Sequence, residues 1–275
     1  MRLGHNMFSL SIYQSYKNEL MQNAKASDRI GSGSRINRAK DNPGKIGTNE
    51  TLKIQVMTND AASKNVQDAN SMIQAFDGTL QEVNNSLNRM KELTVKAGAG
   101  DLSPDDKAII QNEMESLKAD INDMINNSSF NGVKLTDSTV TGFNSSGIKT
   151  TIGNAKGENL DIPVFNLSLQ NLGIDTLDIS DANKSNDSID AASEMVAKVR
   201  SKYGAIQNGL EETADYLSNK DITLQKVQSN VGDADIAEEE LNYSKSQIMI
   251  QSSIALMAQS NNFPKDALNI LANVK

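Results

Sequence analysis

Residues 66–90 read VQDANSMIQAFDGTLQEVNNSLNRM. Within them Val66, Ala69, Ile73, Phe76, Leu80, Val83, Leu87 and Met90 follow at steps of 3, 4, 3, 4, 3, 4 and 3. That alternation holds apolar side chains on one seam of an α-helix, whereas a strand needs a step of two. From Leu52 to Ala97 there is no proline, and Gly78 is the single glycine, so the helix extends well beyond the quoted stretch. At about 1.5 Å per residue it is about 70 Å long and needs a partner along its whole seam.

The partners follow downstream. Gly98-Ala99-Gly100 ends the helix, and Ser103, Pro104, Asp105 and Asp106 supply an N-cap, a preset first turn and acidic charge at the positive end of the next dipole. Ile110, Met114, Leu117, Ile121 and Met124 then repeat the seam, which predicts a second helix folded back antiparallel on the first. A third seam runs through Ile189, Ala192, Val196, Val199, Tyr203, Ile206, Leu210, Thr213, Leu217, Leu224, Val227, Val231 and Ala234, with Lys220 its one charged member. Between residues 131 and 180 the period changes. Gly147–Ile152 and Leu160–Phe165 flank the turn residues 153–157 and predict one or two hairpins in this stretch, with Pro163 at an edge or an irregularity.

Both chain ends carry apolar stripes. Leu3, Met7, Phe8, Leu10, Ile12, Tyr13, Tyr16, Leu20 and Met21 lie at one end, and Ile248, Ile250, Ile254, Leu256, Met257, Leu268, Ile270 and Leu271 at the other. A three-helix bundle filled by its own seams has no room for them, so they are expected to pair with each other and with neighbouring subunits. Charge agrees. Residues 1–40 carry seven basic and two acidic groups, while residues 211–241 carry nine acidic groups against Lys220 and Lys226. An antiparallel pairing of the two ends sets residues 29–40 beside 233–240, and complementary charge of this kind fixes register and partner choice.

Composition excludes whole classes of chemistry. The 275 residues include no cysteine and one histidine, His5, which removes thiol chemistry, disulfides and any site built on two imidazoles. Thirty-five acidic residues outnumber 27 basic ones, giving a net charge of -8 and no nucleic-acid footprint. Aromatics make up 4% and hydrophobics 37% of the chain, which suits thin helices with an apolar stripe better than a rounded core. No run reaches the roughly 18–20 apolar residues of a membrane span, and the first twenty residues lack the continuous apolar core of a secretory signal. The fold expected is mainly α: a long antiparallel three-helix, coiled-coil-like rod with a small β-hairpin region and two terminal helical arms. Its divisions are an arm at 1–40, rod helices at 41–140, a hairpin and variable surface segment at 141–182, a rod helix at 183–235 and a second arm at 236–275.

Several stretches carry a family resemblance. GSGSRINRAKD at 31–41, NNSLNRMKELTV at 84–95, SSFNGVKL at 128–135, GAIQN at 204–208, DADIAE at 233–238, Gln247-Ile248 and the closing Asn269-Ile270-Leu271 stand in the order found in bacterial flagellins, which the chain resembles over both ends. It departs from that pattern in Asp41-Asn42-Pro43-Gly44, where an alanine-rich segment is usual, which implies a stiffer or kinked joint. Gly209 stands where an arginine commonly follows the Gln-Asn pair, and the middle is too short for a large outer domain.

The resemblance implies a structural protein, not an enzyme. It would be exported unfolded by the flagellar type III apparatus without a cleaved signal peptide, and would polymerise through its arms into an extracellular filament for motility. It implies as polymerisation residues Leu3, Met7, Leu10, Tyr13, Leu20, Ile250, Ile254, Met257, Leu268 and Leu271. It further implies an export chaperone at the C-terminal arm, filament cap and junction proteins as neighbours, and, as in some bacterial groups, contact of exposed Arg89, Leu93 and Glu113 with a Toll-like receptor of animal hosts. Ser138, Thr139, Thr141, Ser145, Ser146 and Thr150 are candidates for O-linked glycans. No cofactor, metal, nucleic acid or membrane is expected as partner. The alternative of the same export class is a hook–filament junction protein. A metalloprotease insertion needs HExxH, which a chain with one histidine lacks.

Overall fold

The computed structural model describes residues 6–99, 102–134, 136, 145–153 and 157–273. In chain order its elements are α1 (Met7–Ser32), α2 (Pro43–Ala97), α3 (Pro104–Asn127), β1 (Ser145–Thr151), β2 (Asn159–Val164), α4 (Leu169–Leu172), α5 (Ala182–Gly232) and α6 (Ile236–Asn273), with a 3₁₀ turn at Ile179–Asp181. They divide into two compact units, Gln55–Ile222 and Met1–Ile54 with Thr223–Lys275.

The unit Gln55–Ile222 is a helical bundle with a hairpin. Asn59 donates to the Leu217 carbonyl (2.9 Å), Gln207 to Asn70 (3.2 Å) and Arg200 through two nitrogens to Asp77 (2.7 and 3.2 Å), so α2 and α5 run antiparallel. Contacts of Thr79 with Ser128 (3.2 Å) and Arg89 with Glu113 (2.8 Å) set α3 antiparallel to α2 in the same way. The eight seam residues of the quoted stretch are all buried. In α3 Ile110, Met114 and Ile121 are buried as the spacing predicts, while Leu117 and Met124 are only half-buried and Ile125 takes the inner place at the end. There the chain turns inward, and Thr136 donates to the Ile125 carbonyl (3.1 Å).

α3 starts where its cap residues stand. Ser103 Oγ accepts from the Asp106 N–H (3.1 Å), and the Asp106 carboxylate accepts from the Ser103 N–H (3.4 Å). Two of the four donors a helix N-terminus leaves open are thereby met. The sheet among the described residues is the one antiparallel pair β1–β2, with Ile148 opposite Ile162 and Thr151 opposite Asn159. Its register breaks between Ser145 and Ile148, alongside Pro163, which has no N–H to give. The Pro163 carbonyl instead accepts from Tyr203 Oη (3.0 Å). Gly147 has no room for a side chain, because a Cβ there meets the Ile162 oxygen at 2.8 Å. Tyr203 is wholly buried, edge-on to Phe76 and Phe165 with ring centroids 5.9 and 5.3 Å away, and burial pushes its phenol pKa up.

In the unit of the chain ends, α1 and α6 pack antiparallel. α1 ends at Gly33, whose φ of 67° is the left-handed conformation of a helix stop, and the Gly33 N–H donates to the Arg29 carbonyl (2.8 Å). Ser34 bridges Asp233, while the Arg35 N–H and guanidinium donate to the carbonyls of Gly232 (2.7 Å) and Val231 (2.9 Å) that end α5. The stiff joint expected at Asp41-Asn42-Pro43-Gly44 takes the form of a helix start: Pro43 is the first residue of α2, and Asn42 Oδ1 accepts from the Lys45 N–H (3.1 Å). The Arg38 and Asn37 N–H groups hold the Asp41 carboxyl below its ordinary pKa. The third seam grows shallow in this unit: Leu224 and Val231 are half-buried and Val227 is exposed, because the facing turn of α2 sets Asn49 against Gly232.

Candidate assembly surface

The α1–α6 hairpin is built the opposite way round from a small globule. On α6 the buried positions are Glu239, Ser246, Ser253 and Ser260, seven residues apart, with half-buried Tyr243, Ile250 and Met257 between them and half-buried Pro264 after the last. On α1 they are Ile12 and Ala26, flanked by half-buried Ser9, Tyr16, Glu19, Asn23 and Ile30. Short side chains on this seam let the helices approach closely. The price is that the large apolar residues stand outside.

Met7 (70% exposed), Phe8, Leu10, Tyr13, Leu20 and Met21 face solvent from α1, and Ile236, Leu241 (73%), Ile248, Met249, Ile254, Leu256 and Phe263 (75%) from α6. Leu241, Ile248, Leu256 and Phe263 recur at steps of 7, 8 and 7; the first two lie about half a turn from the buried seam and the last two about a sixth of a turn from it. Met7, Leu10 and Tyr13 with Met257 line an open groove whose polar rim is Asn6, Ser9 and Asn261. From Ser246 to Pro264 α6 has no charged residue, so covering this face strips water from no ion. A face this apolar on an otherwise polar chain is a candidate interaction surface.

Polar groups fix the register beneath it. Arg29 meets Glu239 at 2.5 Å in a mostly buried pair at the closed end of the hairpin, as the charge of the two arms predicts. At the other end Pro264 lies inside α6 and offers no N–H to the Ser260 carbonyl four residues back. Asn6 Nδ2 donates to that carbonyl (2.9 Å) and to Ser260 Oγ (3.0 Å), while Asn6 Oδ1 caps α1 by accepting from the Ser9 N–H (3.1 Å). One asparagine thus closes two helix defects.

Of the residues singled out from sequence, Met7, Leu10, Tyr13, Leu20 and Ile254 share the exposed faces, whereas Ile250 and Met257 flank the seam. Leu3 lies outside the described residues, as do the side chains of Leu268 and Leu271 on α6. On the α2–α3 face Arg89 is held by Glu113 (2.8 and 3.1 Å) and Glu92 (3.1 Å), whose carboxylates raise its pKa further. Leu93, expected there as an exposed contact, is 3% exposed and belongs to the core cluster. It sits one step from Thr94, which occupies the seam position after Met90, so both turn inward where α3 closes over α2. Val95 and Ile109, which spacing did not single out, are exposed apolar residues near Arg89 and Glu113 in sequence. Thr150 is half-buried on β1, Ser145 and Ser146 lie on β1 with side chains outside the description, and Ser138, Thr139 and Thr141 fall outside the described residues.

A chain that folds one part around its own core and presents large apolar faces on helices from its two ends has the build of an assembly subunit. Comparison with known proteins gives the family. Residues 3–141 match the bacterial flagellin N-terminal helical region and residues 187–271 the bacterial flagellin C-terminal helical region. The flagellin of Halalkalibacterium halodurans is 33% identical over 98% of this chain and all of its own length. That of Bacillus subtilis is 31% identical, and the flagellar filament 33 kDa core protein of Treponema phagedenis 30%, each with 98% of this chain and all of the relative covered. Among solved structures, Bacillus cereus flagellin aligns with a TM-score of 0.50 at 25% identity, over 56% of this chain and 88% of that one. A putative flagellar hook-associated protein from Vibrio parahaemolyticus shares the fold, with a TM-score of 0.58 at 16% identity over 70% of this chain and all of that one. The chain belongs to the bacterial flagellins. It is a structural, self-assembling subunit of the extracellular flagellar filament and not an enzyme.

Proposed function

We propose that polymerisation runs through the outward faces of the α1–α6 hairpin, with residues 1–40 and 236–275 as the assembling arms and Met7, Leu10, Tyr13, Leu20, Ile254 and Met257 among the contacts. The observation that carries this is the inverted hairpin: serines are buried between the helices while Leu241, Ile248 and Phe263 stand in water. Burial of those side chains against other copies recovers what the hairpin leaves exposed. Relatives named as filament core proteins over the whole chain favour the filament subunit over a junction protein.

The remaining partners rest on the resemblance alone. They are an export chaperone at the C-terminal arm, filament cap and junction proteins, passage unfolded through the flagellar export apparatus without a cleaved signal peptide, O-linked glycans on the serines and threonines of 138–150, and host-receptor contact at Arg89 and Glu113. A chain without disulfides and with few aromatics suits passage through a narrow channel. The decisive test is deletion of residues 1–20. Electron microscopy should show no filaments, while circular dichroism retains the helical signal of the Gln55–Ile222 unit; filaments in normal yield refute the assignment.

A further inference from the structure

We propose that the methionines of the hairpin unit are a redox-sensitive modification site, and that their oxidation to the sulfoxide blocks assembly of the free subunit. This inference rests on the assembly surface proposed above. Apart from Met57, the exposed methionines among the described residues lie on the hairpin, and the buried ones lie in the bundle. Met72, Met90 and Met114 in the bundle are at most 7% exposed, whereas Met7 is 70%, Met21 58% and Met249 43% exposed on the hairpin. Half-buried Met257 joins Met7 in the groove with Leu10 and Tyr13. Thioether oxidation follows access, so an oxidant reaches these sulfurs first. Met57, 61% exposed at the start of the bundle unit, is oxidised alongside them and serves as an internal control.

The reactant is a peroxide. A sulfur lone pair attacks one peroxide oxygen, the O–O bond breaks as the S–O bond forms, the sulfur is oxidised by two electrons, and the other oxygen leaves as water. The product is a polar, chiral sulfoxide where the groove had an apolar, pliable thioether. The bundle core keeps its thioethers, so the oxidised subunit remains folded in that unit while its assembly faces turn polar. Once assembled, these sulfurs are covered, and filaments resist doses that modify free subunits.

The test uses the full chain. Free subunit is treated with hydrogen peroxide, each methionine is mapped by peptide mass (about 16 Da per sulfoxide), and the critical concentration for seeded assembly is measured before and after. The expected result is modification of Met7, Met21, Met249 and Met257 ahead of Met72, Met90 and Met114, with a rise in critical concentration of roughly tenfold or more. Methionine sulfoxide reductases should reverse that rise. In the M7L/M21L/M249L/M257L variant, compared with itself before peroxide, the change should stay within about twofold while Met57 is still oxidised. Unchanged assembly of the fully oxidised parent, an equal loss in the leucine variant, or oxidation of Met72, Met90 and Met114 at the same rate as the hairpin methionines overturns the proposal. Failure of the underlying surface reads differently: Leu241→Ser, untouched by peroxide, would then assemble like the parent.

Discussion

Replacing Asn6 by aspartate isolates the contact that joins the open end of the α1–α6 hairpin. Aspartate caps α1 as well as asparagine does, and its charge suits a helix N-terminus, so the Ser9 N–H keeps its acceptor. What is lost is the amide donor. The Ser260 hydroxyl, 3.0 Å away, can turn its proton to the new carboxylate, but the Ser260 carbonyl cannot, and Pro264 offers it nothing from within α6. A neutral hydrogen bond is worth about 1 kcal/mol net, and a mostly buried carbonyl left facing an acceptor costs about 1 kcal/mol more, so Asn6→Asp should destabilise the hairpin by about 2 kcal/mol. Pro264→Ala restores an N–H four residues after Ser260, and on that background the same substitution should cost about 1 kcal/mol or less. The coupling between the two positions is then about 1 kcal/mol, read from amide hydrogen exchange of α1 and α6 in the parent, the two single variants and the double variant. If Asn6→Asp costs the same on the Pro264→Ala background as in the parent, the Asn6 amide is not standing in for the missing helical hydrogen bond.

Leu241→Ser and Phe263→Ser change residues already 73% and 75% exposed, so hydrogen exchange of the free subunit should hardly move. Each should raise the critical concentration about five- to thirtyfold, the equivalent of about 1–2 kcal/mol of forgone burial per contact, in a sedimentation assay of seeded assembly. Glu239→Gln leaves Arg29 without its counter-charge and should cost about 2 kcal/mol, seen as faster exchange in the first turns of α6. For Tyr203 the raised pKa fixes the sign: its phenol is neutral in both folded and unfolded chains below pH about 10, and above it the phenol of the unfolded chain ionises first. Bundle stability should therefore fall by about 1.4 kcal/mol per pH unit on this account alone. Tyr203→Phe should cost about 1 kcal/mol at neutral pH through loss of the bond to the Pro163 carbonyl, and should remove that part of the slope in urea melts between pH 8 and 11.5; equal slopes count against it.

The bundle was open to reading because each of its helices has one apolar face. Where Val66 to Met90 step by three and four, only one side can be inside, and Ser103 with Asp106 can only begin a helix. Charge, not periodicity, set residues 29–40 beside 233–240, the stretch in which Arg29 meets Glu239. Neither said which face of α6 meets α1. Ile248, Met249, Ile250, Ile254, Leu256 and Met257 surround that helix, so no single stripe marks the inside. Close approach settles the matter in favour of serines at 246, 253 and 260, a criterion of size that hydropathy does not measure. Lys118 was missed for a related reason. Its stem is covered by the chain around residues 169–181, and its ammonium reaches the Asp175 carbonyl (3.0 Å) and Glu115 (2.7 Å), contacts that depend on where an irregular segment lies.

The inverted hairpin ties monomer order to assembly. Ile12 and Ala26 are the only buried apolar side chains among the described residues of α1 and α6, helices of 26 and 38 residues. Fixing each backbone residue costs about 1–2 kcal/mol, a cost that helical hydrogen bonds and so little burial leave marginally met in the free subunit. On the assembly proposed above, neighbouring copies supply the missing burial, and ordering of the arms and growth of the filament become steps of one equilibrium. Two kinds of substitution should therefore weaken assembly by different routes. Asn6→Asp loosens the hairpin without altering an apolar contact, and its effect on critical concentration should scale with the faster exchange seen in the free subunit. Leu241→Ser removes a contact without loosening the hairpin, and should shift the critical concentration with exchange unchanged. A correlation between exchange and assembly in both kinds would mean that the exposed leucines stabilise the free subunit rather than its neighbours.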